Sequence, residues 1–92
     1  MAHTEMEKKK LLNRARRIRG QVEALEKAIA EDAECDVVLQ QIAACRGAMG
    51  GLMSEVVEGH IRFHVVSPED WPSGTKAIAA QELIDVLKTY LR

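Results

Sequence analysis

An all-α chain of three helices, the middle one longest, is what this sequence predicts, and three observations carry it. Leu11, Ala15, Ile18, Val22, Leu25 and Ile29 recur at spacings of 4, 3, 4, 3 and 4, and Val38, Ile42, Cys45, Met49, Leu52 and Val56 repeat the rhythm. That is a coiled-coil-like seam, not the period of two that a half-buried strand requires. The obvious loop signals are confined to Ser67-Pro68 and Trp71-Pro72-Ser73-Gly74. Finally, the stretch from Cys35 to His64 reads as one helix of about 30 residues, roughly 45 Å long at about 1.5 Å per residue. A chain of 92 residues cannot wrap a rod of that length, so part of its apolar surface is expected to meet a second chain.

The elements follow in order. Thr4-Glu5-Met6-Glu7 fits a capping box, with the Thr4 hydroxyl and the Glu7 carboxylate satisfying amides at the start of helix 1. That helix buries its seam, displays Arg and Lys elsewhere and ends near Ala30, where Glu31 to Glu34 make a short acidic connection. In helix 2, Leu39, Met53, Val57 and Ile61 widen the apolar face beyond one stripe, implying one contact with helix 1 and another with a partner chain. Gly47, Gly50 and Gly51 stand in mid-helix at up to about 1 kcal/mol each relative to alanine, which suits a close backbone crossing. Thr75 is placed to cap helix 3, whose apolar stripe is read as Ile78, Leu83, Leu87 and Leu91 with Val86 and Tyr90 beside it.

Composition narrows the function classes. The chain, residues 1–92, reads as a single domain. No apolar run exceeds four residues, so a membrane span and a secretory signal core are both unexpected and the cytoplasm is the expected compartment. Two cysteines in that setting are reduced thiols or ligands rather than a structural disulfide. The net charge of −1 conceals a strong asymmetry: residues 1–20 hold seven basic and two acidic side chains, a net of +5, and residues 21–92 hold six and twelve, a net of −6. A basic end on an acidic body is the footprint of a polyanion-binding surface. Arg14 and Arg17, helped by Lys10, Arg16 and Arg19, are the residues placed to contact phosphates and base edges of duplex DNA. With aromatics limited to Phe63, Trp71 and Tyr90, stacking of bases on aromatic rings is not the expected mode.

The ligand-type residues sit at the two ends of the long helix. His60 and His64 are four apart, so their rings share one helical face and can converge on one ion. Cys35 stands at the N-terminal turn, where the helix dipole favours a thiolate, a better nucleophile and a better ligand than a thiol. Cys45 lies on the apolar seam and reads as a small buried residue. Cys35 and His60 are separated by roughly 37 Å along a straight helix and cannot meet within one chain. Antiparallel pairing of two copies brings them together, with the two-fold axis near residue 48, in Gly47-Ala48-Met49-Gly50-Gly51. Each dimer then carries two equivalent sites, with Cys35 from one chain and His60 and His64 from the other. His3, just before the Thr4 cap, is placed to reach an ion near the start of helix 1, and removal of Met1 frees an amine at Ala2. A nitrogen-rich set with one sulfur suits Ni(II) or Co(II), with Zn(II) a further fit, and suits Cu(I) poorly.

The run Arg16-Arg17-Ile18-Arg19-Gly20-Gln21-Val22-Glu23-Ala24-Leu25, then Cys35, Leu39-Gln40-Gln41-Ile42-Ala43-Ala44, Arg46-Gly47-Ala48 and Gly51-Leu52-Met53 resembles the CsoR/RcnR/FrmR family of small helical repressors. The resemblance spans roughly residues 3 to 64, and helix 3 is more generic. It implies an antiparallel helical dimer assembling as a dimer of dimers (a homotetramer), which binds operator DNA without a helix-turn-helix and releases it when an inducer binds. The set His3, Cys35, His60 and His64 is similar to that of the nickel- and cobalt-sensing branch. The copper branch has a cysteine where His64 stands, and the formaldehyde branch a proline where Ala2 stands and no second histidine. Gly50 departs from the asparagine of many relatives. Formaldehyde sensing remains the alternative, since Cys35 and a freed Ala2 amine are a nucleophile pair that one carbon can bridge; that chemistry leaves His64 without a role.

Two other classes compete. A Cys/His enzyme would bring thiolate and imidazole together across a dimer, but the sequence offers no third orienting residue and no oxyanion loop. A purely structural oligomer explains the heptads but neither the +5 end nor the ligand-type residues.

Overall fold

The computed structural model describes residues 4–65, 69, 71 and 73–91. Thr4, in extended conformation, opens α1 (Glu5–Ala30) by accepting a hydrogen bond from the Glu7 amide on its side-chain oxygen at 3.0 Å. The hydroxyl half of the capping box is therefore present. The Glu7 carboxylate lies against the second helix, so close that a Cβ on Gly59 would stand 2.7 Å from Glu7 Oε1.

At the other end of α1, Asp32 adopts a left-handed backbone with φ 55°. The Ala33 amide donates to the Ala28 carbonyl at 2.9 Å and the Asp32 amide to the Ile29 carbonyl at 3.2 Å. This crossed pair is a Schellman ending, which turns the chain back within the acidic connection. Asp32→Val is expected to lower stability by about 1–2 kcal/mol, because a β-branched side chain tolerates the left-handed region worst, whereas Asp32→Gly is expected to hold or raise it. Chemical denaturation at fixed protein concentration measures both.

The second helix, α2 (Cys35–His60), starts at the thiol and packs antiparallel along α1. It does not run as regular α-helix to His64: the residues Ile61–Val65 form a π-helical turn. Tertiary contacts fall on this turn. Ile61 is buried with Ala77, Ala80 and Ile84, and the Arg62 carbonyl accepts the Trp71 indole N–H at 3.1 Å. A wider turn is one way for a helix end to meet such contacts, and π turns concentrate at functional sites.

In α3 (Thr75–Leu91) the Ile78 amide donates to the Gly74 carbonyl, so Gly74 holds the capping position and Thr75 is the first helical residue. The stripe expected from its large residues is corrected. Ala77, Ala80 and Ile84 are buried and Leu87 packs against them, whereas Ile78, Leu83, Val86 and Tyr90 are exposed. Small alanines allow α3 to close on Ile61, and helix rotation then turns the bulky residues outward.

The chain is a thin, elongated body of 54 × 26 × 13 Å with a radius of gyration of 17.0 Å. A compact domain of this length would have a radius of about 12 Å. Leu11 and Ile18 of the α1 seam are buried, but Val22, Ile29, Ile42 and Met49 of the two seams are exposed, with Met49 at 55% and Met53 on the adjoining face at 53%. A single chain thus covers only part of its apolar surface. Among the described residues there is no strand, and no helix is long and apolar enough to cross a membrane.

Candidate metal centre and nucleic-acid surface

His60 closes α2 and His64 lies in the π turn, both exposed, with ring centroids 5.2 Å apart and planes at 37°. Two imidazoles bound side by side to one ion, with nitrogen–metal distances of about 2.0–2.1 Å, place their centroids about 4.5–5.3 Å apart. The pair therefore stands at a separation that suits two ligands of a single ion. Cys35 occupies the first position of α2 and is exposed, at the far end of the same 26-residue helix. Among the described residues of one chain, no three His, Cys, Asp or Glu side chains gather around one point. One chain thus offers an imidazole pair at one end and a thiol at the other. Cys45, by contrast, is half-buried along α2. His3 and the N-terminal amine, the other expected ligands, lie outside the described residues.

The basic residues Lys10, Arg14, Arg16, Arg17 and Arg19 all lie exposed on α1. Lys10, Arg14 and Arg17 follow one another at helical spacing beside the buried Leu11–Ile18 stripe. Arg14 differs from the rest: its guanidinium lies over Gly51, at 2.8 Å from where a Cβ would stand, and pairs with Glu55 at 3.2 Å. That pair is partly solvated, and such pairs contribute about 0–1 kcal/mol. A phosphate can compete for the guanidinium at small cost.

A group that the sequence did not single out ties the histidine turn to α3. Arg62 donates to Glu58 at 3.1 Å and to Gln81 of α3 at 2.7 Å, and its guanidinium lies 4.8 Å from the Trp71 ring centre. Glu58 also receives Lys88 of α3 at 3.1 Å. The four-residue spacing of Glu58 and Arg62 was a visible signal; nothing local pointed to Trp71 or Gln81.

One chain thus combines a histidine pair and a distant exposed thiol, at opposite ends of α2 and its π turn, with a basic face on α1. Residues 7–90 match the metal-sensitive transcriptional repressors, and the chain belongs to that family. It is therefore a transcriptional repressor of the metal-sensitive class.

Its relatives include the transcriptional repressor RcnR of Citrobacter koseri, 54% identical over 70 residues that cover 76% of this chain and 78% of that one. An uncharacterized protein in the bioA 5′ region of Serratia marcescens is 48% identical over the full length of both chains. A glutamate-to-histidine variant of the formaldehyde-responsive regulator FrmR from Salmonella enterica serovar Typhimurium has the same fold, with a TM-score of 0.70 and 46% identity over 99% of this chain and 100% of that one.

Proposed function

We propose that the protein is a Ni(II)- or Co(II)-responsive repressor, which binds operator DNA without metal and releases it when metal binds. The observation that carries this reading is the His60–His64 pair, with ring centroids 5.2 Å apart on the helix whose other end carries the exposed Cys35. In an antiparallel dimer each site takes Cys35 from one protomer and His60 and His64 from its partner, with His3 completing the set. The exposed Ile42, Met49 and Met53 near the middle of α2 suit a pairing surface there. Gly47 suits a close crossing, since among the described residues no side chain or other packed atom lies within 4 Å of where a Cβ would stand. Two such dimers form the operator-binding tetramer.

Bound Ni(II) or Co(II), with Zn(II) as a weaker fit, would supply a charge that draws the two chain ends together. The protein's own residues do the rest: the imidazoles and thiolate hold the ion, and Arg14, Arg17, Lys10, Arg16 and Arg19 hold DNA phosphates and base edges. Linkage then requires DNA to weaken metal binding by the same factor as metal weakens DNA binding.

The second reading is release by formaldehyde through Cys35 and the N-terminal amine, favoured by the full-length likeness to a formaldehyde-responsive regulator. Operator binding measured by fluorescence anisotropy with Ni(II), Co(II), Zn(II), Cu(I) or formaldehyde separates the two. Release by Ni(II) or Co(II) at lower concentration than by formaldehyde is expected. Release by formaldehyde alone would replace the metal reading, and tighter DNA binding with metal would reverse its sign.

A further inference from the structure

The π turn contains one metal-ligand candidate, His64, and follows directly on the other, His60. Between them in sequence stands Arg62, and its contacts lead away from the histidines. Its main-chain carbonyl accepts the Trp71 indole, its guanidinium stacks near the same ring, and one of its N–H groups reaches Gln81 on α3 at 2.7 Å. Its third partner, Glu58, lies one turn earlier on α2 and is shared with Lys88 of α3. Arg62 is part-buried, with 33% of its side chain exposed, and a guanidinium held in several directions by a planar fork has little freedom to move alone.

We propose that Arg62 is a positioning residue that transmits metal occupancy of His60 and His64 to α3. The inference rests on the metal-sensor reading above. Gathering two imidazoles onto one ion fixes the backbone between them, and the Arg62 carbonyl is part of that backbone. Any rotation of the turn displaces the guanidinium, and with it Gln81 and the α3 helix it holds. The buried contact of Ile61 with Ala77, Ala80 and Ile84 makes the turn and α3 move together rather than slide past each other. Arg62 itself binds neither metal nor DNA in this scheme.

The test uses the full-length chain and Co(II) as the probe. Co(II) affinity and absorption spectrum are measured, together with operator affinity with and without Co(II), for the wild type, Arg62→Met and Gln81→Ala. Wild-type coupling in the usual range is about 5–150-fold. Both variants are expected to bind Co(II) within about threefold of wild type, with an unchanged spectrum, and to bind operator normally without metal. Their Co(II)-dependent loss of operator affinity is expected to shrink at least about fivefold. Gln81→Ala leaves the turn's own residues in place, so it reports on coupling even if Arg62→Met unfolds.

Wild-type coupling in Gln81→Ala overturns the proposal. So does a loss of Co(II) affinity in proportion to the loss of coupling, which would mean that Arg62 merely supports the fold. A wild-type chain that holds DNA equally with and without Co(II) overturns the sensor reading, and this inference with it.

Discussion

Replacing His64 with alanine is expected to weaken Co(II) binding by on the order of 100-fold, since loss of mere outer-shell partners of metal ligands already costs about 10–100-fold. The variant should remain on its operator at Co(II) concentrations that release the wild type. Because His64 is exposed, its truncation opens no cavity in the Ile61–Ile84 core, and fold and DNA binding without metal should persist. Optical titration with Co(II) and anisotropy on labelled operator measure the two quantities independently. The same loss is expected for Cys35→Ala, together with disappearance of thiolate-to-Co(II) absorption. Cys45→Ala should bind Co(II) as the wild type does, since that thiol lies half-buried along α2 and outside the proposed set. A His64→Ala chain that still binds Co(II) tightly would remove the imidazole pair from the proposed site.

Arg17→Ala is expected to weaken operator binding by about tenfold or more and to reduce the steepness of its salt dependence by about one unit for each phosphate no longer neutralised. Co(II) affinity in the absence of DNA should be unchanged, because α1 at Arg17 is remote from both ends of α2 that carry ligands. Arg14→Ala should act in the same direction. Arg14 also has a competitor within the chain, Glu55 at 3.2 Å. Glu55→Gln therefore should tighten operator binding by a few-fold, a modest gain because a partly solvated pair contributes only about 0–1 kcal/mol. Anisotropy titrations across a salt series distinguish these outcomes. Equal operator affinity of wild type and Arg17→Ala at every salt concentration would exclude this face of α1 from the DNA contact.

The sequence was informative wherever periodicity and local chemistry decide structure. The 4-3 rhythm located α1 and α2, Thr4 marked the start of α1, and the exposed turn after Ala30 was readable from its acidic composition. The repressor family was readable too, from the basic run Arg16 to Arg19 and the glycine-rich middle of α2. In α3 residue size is a poor guide to burial: the large Ile78, Leu83 and Tyr90 face outward, whereas close approach to Ile61 selects Ala77 and Ala80. The π turn at Ile61–Val65 left no trace in the periodic pattern, since it coincides with contacts from Trp71 and α3, nine or more positions along the chain. For the same reason Arg62 looked like one more charged residue on a helix, although it joins Glu58, Trp71 and Gln81. The separation of Cys35 from His60 needed only helical rise, and the gap between them within one chain is a matter of geometry.

Closing that gap takes a second chain, and a site shared between two chains can be tested by complementation. Two defective proteins, Cys35→Ala and His64→Ala, are mixed, unfolded and refolded together. Each alone lacks a ligand in every site. In a mixed antiparallel dimer, the intact thiol of one chain faces the intact histidines of the other, and one complete site returns. The mixture is expected to regain tight Co(II) binding with thiolate-to-Co(II) absorption, which neither protein shows alone. A mixture that behaves as the sum of its two inactive components, once mass spectrometry has shown that mixed dimers form, would contradict a shared site.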